Sequence, residues 1–497
     1  MAKIAIIGSG FSGLSAACYL SKEGHQVEIF EKNAEVGGRA RQKITDCGFV
    51  FDMGPSWYWM PDVFERFFSD FGYKVEDLYQ LTLLNPSFDI VFSGNELLSV
   101  PASFEELKAT FEELEPGSAL KLVQFMEDAE FKYQVGMMKL VYKPGLSVLE
   151  FVDLDLIKGV FQLEVFTAFS KHVRKYFKHP KLVALMEFPV LFLGAMPKDT
   201  PALYSLMNYA GLKLGTWYPQ GGFGKVVSSM EGIARKQGVK FHLSSPVDKI
   251  NVANLCVKGI KVKGLDIDFD AVISSADYQH TDQVLLEPAY RNYKSDYWET
   301  KVFAPSCLIF YIGLSKKISS ISHHTLFFEE DLDKHAIEIY KHPKWPTAPL
   351  FYVCCPSKTD STVAPEGCEN LFLLMPIATD LEDSVLLRKQ YFDIMLARLE
   401  KQVGEEVAPY IIYNESYCVE DFKLDYNSYK GNAYGLANTL MQTANLKPKI
   451  KSKKVKNLFY TGQLTVPGPG VPPSIISGKL AAEQVFKNIK AKYETAV

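Results

Sequence analysis

The chain has 497 residues, of which 47% are hydrophobic and 23% charged, and its formal net charge is −4 at pH 7. This length predicts two or three interleaved lobes, and the slightly acidic balance argues against nucleic acid as a partner. The eight cysteines show no CxxC spacing, which favours reduced thiols in a cytoplasmic protein. The uncharged runs fall short of the roughly 18 apolar residues that a membrane-spanning helix needs.

The first forty residues predict a strand, a glycine turn, a helix and a second strand. An apolar run over residues 4–7 leads into Gly8-x-Gly10-x-x-Gly13, and helical spacing follows until Gly24. In such a turn Gly8 permits the tight bend, and Gly10 lets the backbone approach a pyrophosphate. Gly13 lets the helix and the strand pack closely. The stretch therefore predicts a dinucleotide site.

Two further features extend this site. Glu31 ends the second predicted strand, where its carboxylate can accept hydrogen bonds from both ribose hydroxyls. Gly37, Gly38 and Arg39 form a second glycine turn that aims a guanidinium at the same diphosphate. This second turn makes the stretch resemble the FAD-binding flavoproteins of the glutathione-reductase and amine-oxidase type rather than the NAD dehydrogenases. FAD is therefore the expected tight cofactor.

The segments that follow predict the part of the protein that binds the substrate. The aromatic cluster from Trp57 to Met60 is expected beside the cofactor, with an ordinary core patch as the alternative. Residues 62–131 read as helical, with an extended piece near 88–100. The segment from Leu149 to Phe169 has apolar residues near helical spacing, and the segment from Lys171 to Lys181 is basic. This pattern suits an interface with anionic lipid, and a core helix with a solvated tail explains it equally well.

The rest of the chain predicts a return to the nucleotide domain, a second excursion and a closing block. A helix over 225–237 and strands over 239–274 mark the return. Strands and one helix between 279 and 417 predict a mostly antiparallel sheet that floors a pocket. A strand over 455–461, Gly462 and a constrained loop over 467–473 precede a last helix from Ser474, whose N-terminus is expected to point at the cofactor.

The motifs together resemble those of the bacterial phytoene desaturases, which are FAD-dependent carotenoid desaturases, and the resemblance runs nearly end to end. The stretches that carry it are Gly8 to Arg39, Phe51 to Pro55, Gly215 to Gly222, Ala276-Asp277, His323-His324, Ala364 to Gly367 and Gly462 to Pro473. It implies an α/β fold with a Rossmann-type FAD-binding domain and an inserted α+β substrate domain. The expected FAD domain comprises 1–85, 215–280 and 440–497. A helical, membrane-facing lobe is expected over 86–214 and a mixed-sheet substrate domain over 281–439.

The resemblance also implies which residues form the site. The residues that would contact FAD by their position are Gly8, Gly10, Gly13, Glu31, Gly38, Arg39, Gly54, Val247 and Gly462. An acidic residue proposed for proton transfer in relatives corresponds to Glu150. No metal site is expected, because the adjacent His323 and His324 should point to opposite faces of a strand.

The activity that the resemblance implies is the desaturation of phytoene to lycopene by successive dehydrogenations. The alternatives are the desaturation of a modified, hydroxylated carotenoid, a redox-neutral carotenoid isomerisation, and a non-catalytic flavin or carotenoid carrier. The expected partners are a long polyene, a membrane lipid surface, and oxygen or a quinone as electron acceptor. The expected location is cytoplasmic and peripheral on the cell membrane, since a polyene must be taken directly from lipid.

Overall fold

The computed structural model of the chain describes residues 1–147, 150 and 163–494. Within them the strands are β1 Lys3–Ile7, β2 Gln26–Phe30, β3 Gln42–Ile44, β4 Val50–Asp52, β5 Leu81–Leu83, β6 Phe88–Phe92, β7 Glu96–Val100, β8 Trp217–Pro219, β9 Lys240–His242, β10 Val247–Ala253, β11 Cys256–Val262, β12 Leu265–Asp268, β13 Ala271–Ser274, β14 Ser306–Leu314, β15 His324–Phe328, β16 Phe351–Cys354, β17 Glu369–Ile377, β18 Ile411–Tyr417 and β19 Leu458–Tyr460. The α-helices of five or more residues are α1 Phe11–Lys22, α2 Pro61–Asp70, α3 Phe104–Leu114, α4 Ser118–Val135, α5 Phe169–Tyr176, α6 Pro180–Glu187, α7 Leu206–Leu212, α8 Phe223–Lys236, α9 Ser295–Glu299, α10 Leu332–Tyr340, α11 Val385–Val403, α12 Val419–Tyr426 and α13 Val471–Glu494.

A parallel five-stranded sheet, in the order β19-β13-β1-β2-β9, forms the nucleotide end of the fold. Its central strand β1 is an apolar run whose residues Ile4 to Ile6 are fully buried, as a strand covered on both faces requires. Helix α1 connects β1 to β2 and packs against α8 and α13. This parallel sheet with helical crossovers confirms the predicted α/β, Rossmann-type fold.

A seven-stranded sheet, in the order β18-β14-β17-β16-β15-β6-β7, forms the second layer. All its neighbouring pairs are antiparallel except β15 and β6. One face packs on α11 around buried residues that include Leu308 and Phe310, and the other face carries Ile309 and Tyr311 towards the main core. The hairpin β6–β7, which the sequence analysis assigned to the helical lobe, extends this sheet by two strands.

Helices α3 to α7 form a helical group in which α4 packs against α3, α5 and α7. The predicted amphipathic segment from Leu149 to Phe169 falls mostly outside the described residues. The apolar stretch from Phe188 onward is largely interior, since Phe188, Val190 and Met196 are buried. In the part of the chain that the structure describes, no helix combines the length and the apolar character needed to cross a bilayer.

Candidate cofactor site

The first glycine turn has the geometry that its predicted role requires. Gly8 has a φ of +95°, a backbone conformation that favours glycine. A Cβ at Gly13 would lie 2.2 Å from the carbonyl oxygen of Gly8, so only glycine lets α1 approach β1 this closely. Among the described residues, a Cβ at Gly10 would meet nothing within 4 Å, and no side chain caps the N-terminus of α1 beside it. Open space therefore faces unpaired helix N–H groups, as a diphosphate site needs.

The second glycine turn packs directly on the first. Gly37 donates its N–H to the Ser9 carbonyl at 3.0 Å, and a Cβ at Gly38 would lie 3.1 Å from the Cα of Gly10. Glu31 is buried at the end of β2, where one carboxylate oxygen accepts from both the N–H and the Oγ of Ser9, at 2.9 and 2.7 Å. The Glu31 carboxylate therefore also links the end of β2 to the first glycine turn.

Arg39 extends from the second turn into a buried polar cluster. Its Nη2 donates to Ser428 Oγ and to the Asn432 carbonyl, each at 3.2 Å, and its guanidinium lies 4.8 Å from the centre of the Tyr426 ring. Its Nε is buried and has no hydrogen-bond partner among the described residues. Burial raises the pKa of the nearby Asp277 carboxyl, although backbone N–H groups and the Arg39 guanidinium oppose the shift. Asp277 and Tyr426 were not among the predicted site residues.

The three remaining predicted cofactor residues, Gly54, Val247 and Gly462, lie in the same region. A Cβ at Gly54 would lie 2.8 Å from the Arg39 carbonyl oxygen, and Val247 begins β10. Gly462 has a φ of +106°, and a Cβ added to it would lie 3.2 Å from Ser12 Oγ of α1. Helix α13 begins at Val471, three residues before the predicted start.

These elements enclose a cavity of ≈ 270 Å³. All the predicted cofactor residues line it except Gly13, which acts in packing. At one end lie the glycine turns, Glu31 and Val247. At the other end the wall becomes apolar, with Cys307, Ile309 and Leu374 from the seven-stranded sheet. The residues fit a long ligand with a polar dinucleotide part and an apolar ring end, as FAD has.

Glu150 does not line this cavity. Its carboxylate accepts hydrogen bonds from the backbone N–H groups of Gly145, Leu146 and Ser147, at 2.9, 3.1 and 3.2 Å. In this position the side chain holds a loop together, so the proton-transfer role implied by the resemblance stays a prediction.

The argument from strand alternation fails at the histidine pair. Strand β15 begins only at His324, and the rings of His323 and His324 lie 4.5 Å apart. Their ligand atoms and that of Cys354 all lie within 4.8 Å of one another. Each Nδ1 already has a hydrogen-bond partner, Thr359 for His323 and Tyr352 for His324. That the pair binds no metal stays a prediction.

Comparisons with known proteins agree with this site. A family model for flavin containing amine oxidoreductases matches residues 11–486. The carotenoid 3,4-desaturase of Haloarcula japonica is 40% identical over 487 residues, which cover 98% of each chain. The zeta-carotene-forming phytoene desaturase of Myxococcus xanthus is 28% identical over 97% of this chain and 94% of its own. The cyclohexylamine oxidase of Brevibacterium oxydans superposes with a TM-score of 0.59 at 14% identity, covering 98% of this chain and 99% of its own, and shows the fold alone.

The fold and the site define an FAD-dependent oxidoreductase, and the chain belongs to the flavin-containing amine oxidoreductase family. The predicted FAD cofactor is confirmed. Within that family the chain is a carotenoid desaturase, an oxidoreductase that acts on CH–CH groups. The resemblance stated from the sequence is thereby confirmed at the level of the family.

Proposed function

We propose that the protein desaturates a preformed carotenoid in the manner of a 3,4-desaturase, which is the modified-carotenoid alternative of the sequence analysis. The observation that carries this proposal is the 40% identity to a carotenoid 3,4-desaturase over nearly the whole of both chains. The 28% identity to a phytoene desaturase supports the second candidate, the phytoene-to-lycopene reaction that the sequence analysis ranked first.

The apolar end of the cavity supports a hydrocarbon substrate in either case. Its wall is the sheet face that carries Cys307, Ile309 and Leu374, together with Met53 and Tyr434. FAD, when bound, supplies the acceptor for a hydrogen that leaves carbon with its bonding electrons. The protein's share is to hold the target carbons against the cofactor and to exclude water.

The substrate can be assigned by incubating the FAD-loaded protein with liposomes that contain phytoene, lycopene or a hydroxylated lycopene derivative. Loss of hydrogen from the coloured substrates, measured by mass spectrometry and by a red shift in visible absorption, is expected. Conversion of phytoene alone would favour the second candidate. A change in isomer ratio without loss of hydrogen would indicate an isomerase, and no change with any substrate would indicate a carrier. Parallel runs with oxygen, and with a quinone under anaerobic conditions, test the proposed electron acceptors.

We further propose that the protein takes its substrate from a membrane surface. Each buried CH₂ of a polyene favours lipid over water by about 0.8 kcal/mol, so the free aqueous concentration is negligible. The basic segment is less available than its sequence indicated, because Arg174 pairs with Glu187 and Lys181 pairs with Glu96. Better candidates are the exposed leucines Leu146 and Leu446.

These two leucines flank one contact between distant parts of the chain. Lys449 Nζ donates to the carbonyls of Gly145 and Asn445, at 2.6 and 2.7 Å, and so joins the residues that precede each leucine. Two exposed apolar side chains beside a lysine provide both an inserting group and a charge that attracts anionic lipid.

The double variant Leu146→Asp/Leu446→Asp is expected to bind anionic liposomes about tenfold or more weakly, because each leucine buried in lipid contributes about 1.5–3 kcal/mol. Co-sedimentation with liposomes measures the change, and flavin content should stay unchanged. The control is Leu265→Asp/Leu424→Asp, which alters two exposed leucines elsewhere. Unchanged binding, with loss of binding on reversing the charges of Lys171, Arg174, Lys175 and Lys178 to Glu, would return the membrane face to the basic segment.

A further inference from the structure

A polar cluster lies on the same sheet face as the apolar wall of the cavity. Tyr352 of β16 pairs directly with Leu374 of β17, which lines the cavity. His324 of β15 pairs with Cys354, two residues beyond Tyr352. Because side chains directly opposite or two residues apart share a face, Tyr352 and His324 both stand on the cavity side of the sheet.

Three side chains of this cluster form a continuous hydrogen-bonded series. Ser56 Oγ lies 3.0 Å from Tyr352 Oη, which lies 2.6 Å from His324 Nδ1. Ser56 directly follows Pro55, which lines the cavity. The other ring nitrogen of His324, Nε2, is buried and has no hydrogen-bond partner in the described part of the chain. The series therefore runs from the residue next to Pro55 to an imidazole, one layer behind the wall that Pro55 and Leu374 form.

The imidazole is shielded from water. The Trp57 ring stacks on His324 with ring centres 4.1 Å apart and an interplanar angle of 10°. Burial, with the neighbouring His323, holds the pKa of His324 well below its usual value, so the ring is neutral and is a weak base. Burial raises the pKa of Tyr352 well above its usual value, so the phenol stays protonated. It can therefore receive a proton only if it gives its own proton to a neighbouring group. A neutral base hydrogen-bonded to a phenol is thus available directly beside Leu374, which lines the cavity.

We propose that Tyr352 is the catalytic residue that receives the substrate's second hydrogen as a proton and that His324 takes the phenolic proton in exchange. This inference rests on the proposed desaturation. FAD, when bound, would accept the hydrogen and the bonding pair that one carbon gives up, and the neighbouring carbon would lose a proton to Tyr352 Oη. The electron pair of that second C–H bond becomes the new π bond. The phenolic proton passes to His324 Nδ1, which leaves an imidazolium and an intact phenol.

The proton acceptor should be a weak base, because a carbon next to an electron-deficient centre is already acidic. No carbonyl is needed to acidify the C–H bond, and no carboxylate is required at the site. Glu150 has its carboxylate committed to three backbone N–H groups. The phenol and imidazole supply what the reaction needs.

The test uses the FAD-loaded Tyr352→Phe variant, which keeps the ring and its packing and removes the hydroxyl. In steady-state turnover of liposome-held carotenoid, kcat is expected to fall about 100-fold or more, while KM stays within about threefold. The wild type should react more slowly in D₂O, because an exchangeable phenolic proton moves in the slow step, and the variant should lose this solvent isotope effect. Binding of coloured product, measured by quenching of tryptophan fluorescence, should be unchanged.

His324→Gln should reproduce the loss, and the Tyr352→Phe/His324→Gln double variant should be no slower than the slower single variant. His323→Gln is the matched control, since His323 is equally buried, lies 4.5 Å away and bonds Thr359 instead. It should retain kcat and the isotope effect.

A Tyr352→Phe enzyme with kcat within about threefold of the wild type would overturn the assignment of the proton acceptor. The same conclusion would follow from an unaltered solvent isotope effect in that variant. A wild-type enzyme that removes hydrogen from none of the carotenoids would overturn the proposed function, so the two failures are distinguishable.

Discussion

A Gly13→Ala variant is expected to lose bound FAD and to unfold at a lower temperature than the wild type. The added methyl would lie 2.2 Å from the Gly8 carbonyl oxygen and 3.2 Å from Ser275 Cβ. Backbone atoms cannot move aside as a flexible side chain does, so α1 must shift away from β1. Overpacking of this kind costs about 1–3 kcal/mol or more. Because α1 also packs against α8 and α13, the shift would disturb the whole cofactor wall.

Gly10→Ala separates the loss of ligand from the loss of fold. A methyl at Gly10 would meet no atom within 4 Å, and the residue has a φ of −68° that alanine adopts readily. The flavin-free variant should therefore melt at the wild-type temperature, while its affinity for FAD falls because the methyl occupies the space for the pyrophosphate. Thermal denaturation of the flavin-free proteins and titration with FAD measure the two effects.

Gly232→Ala in α8 is the control for adding a methyl to a glycine. Nothing lies within 4 Å of its added Cβ, so FAD binding should persist and stability should rise by about 0.4–1 kcal/mol. Normal FAD affinity in Gly10→Ala would mean that the diphosphate does not approach this glycine. If flavin-free Gly13→Ala is as stable as the flavin-free wild type, then α1 and β1 pack less closely than the 2.2 Å approach at Gly13 indicates.

The nucleotide end of the site could be read from the sequence because its determinants are local. The positive φ of Gly8, the helix that starts at Phe11 and the acid at Glu31 all follow from a stretch of about thirty residues with one known geometry. The same holds for Gly462, whose φ of +106° belongs to a turn between a strand and a helix. Local rules of this kind need no knowledge of distant contacts.

The substrate end could not be read in this way because long-range pairing creates it. Strand β15 pairs in parallel with β6, so Thr325 meets Asp89, a residue 236 positions earlier in the chain, and no local signal specifies that partner. The contact of Ser56 with Tyr352 likewise joins positions 296 apart. The pattern of alternating apolar residues predicts strands but not which face meets the cavity.

Arg39→Met is expected to lower FAD affinity about tenfold or more. Methionine keeps the length of the apolar stem and removes the guanidinium, which donates to Ser428 and Asn432. The buried Nε of that guanidinium has no partner among the residues that the structure describes. A hydrogen bond to a charged group contributes about 1.5–3 kcal/mol, which sets the expected loss. Flavin titration followed by absorbance measures it.

Arg41→Met is the matched control. Arg41 lies two residues away, stands over the same Tyr426 ring at 5.4 Å and pairs with Asp425 at 2.5 Å, but it does not line the cavity. Its loss should lower FAD affinity less than the loss of Arg39 does, because Arg41 acts on the site indirectly, through the Gly38 carbonyl and Asp425. If Arg39→Met binds FAD as tightly as the wild type and Arg41→Met binds it more weakly, then Arg41 and not Arg39 contacts the diphosphate.

The charge on Arg39 matters more because Asp277 stands on the same wall. Asp277 accepts backbone N–H groups from Gln279 and His280, at 2.9 and 3.2 Å, and its carboxylate would repel a diphosphate once Arg39 is gone. Asp277→Asn keeps an oxygen to accept those N–H groups and removes the negative charge. The Arg39→Met/Asp277→Asn double variant should therefore regain part of the lost FAD affinity, although Asp277→Asn alone should change it little. If the double variant binds FAD no better than Arg39→Met, then Arg39 acts through its own hydrogen bonds and not by offsetting Asp277.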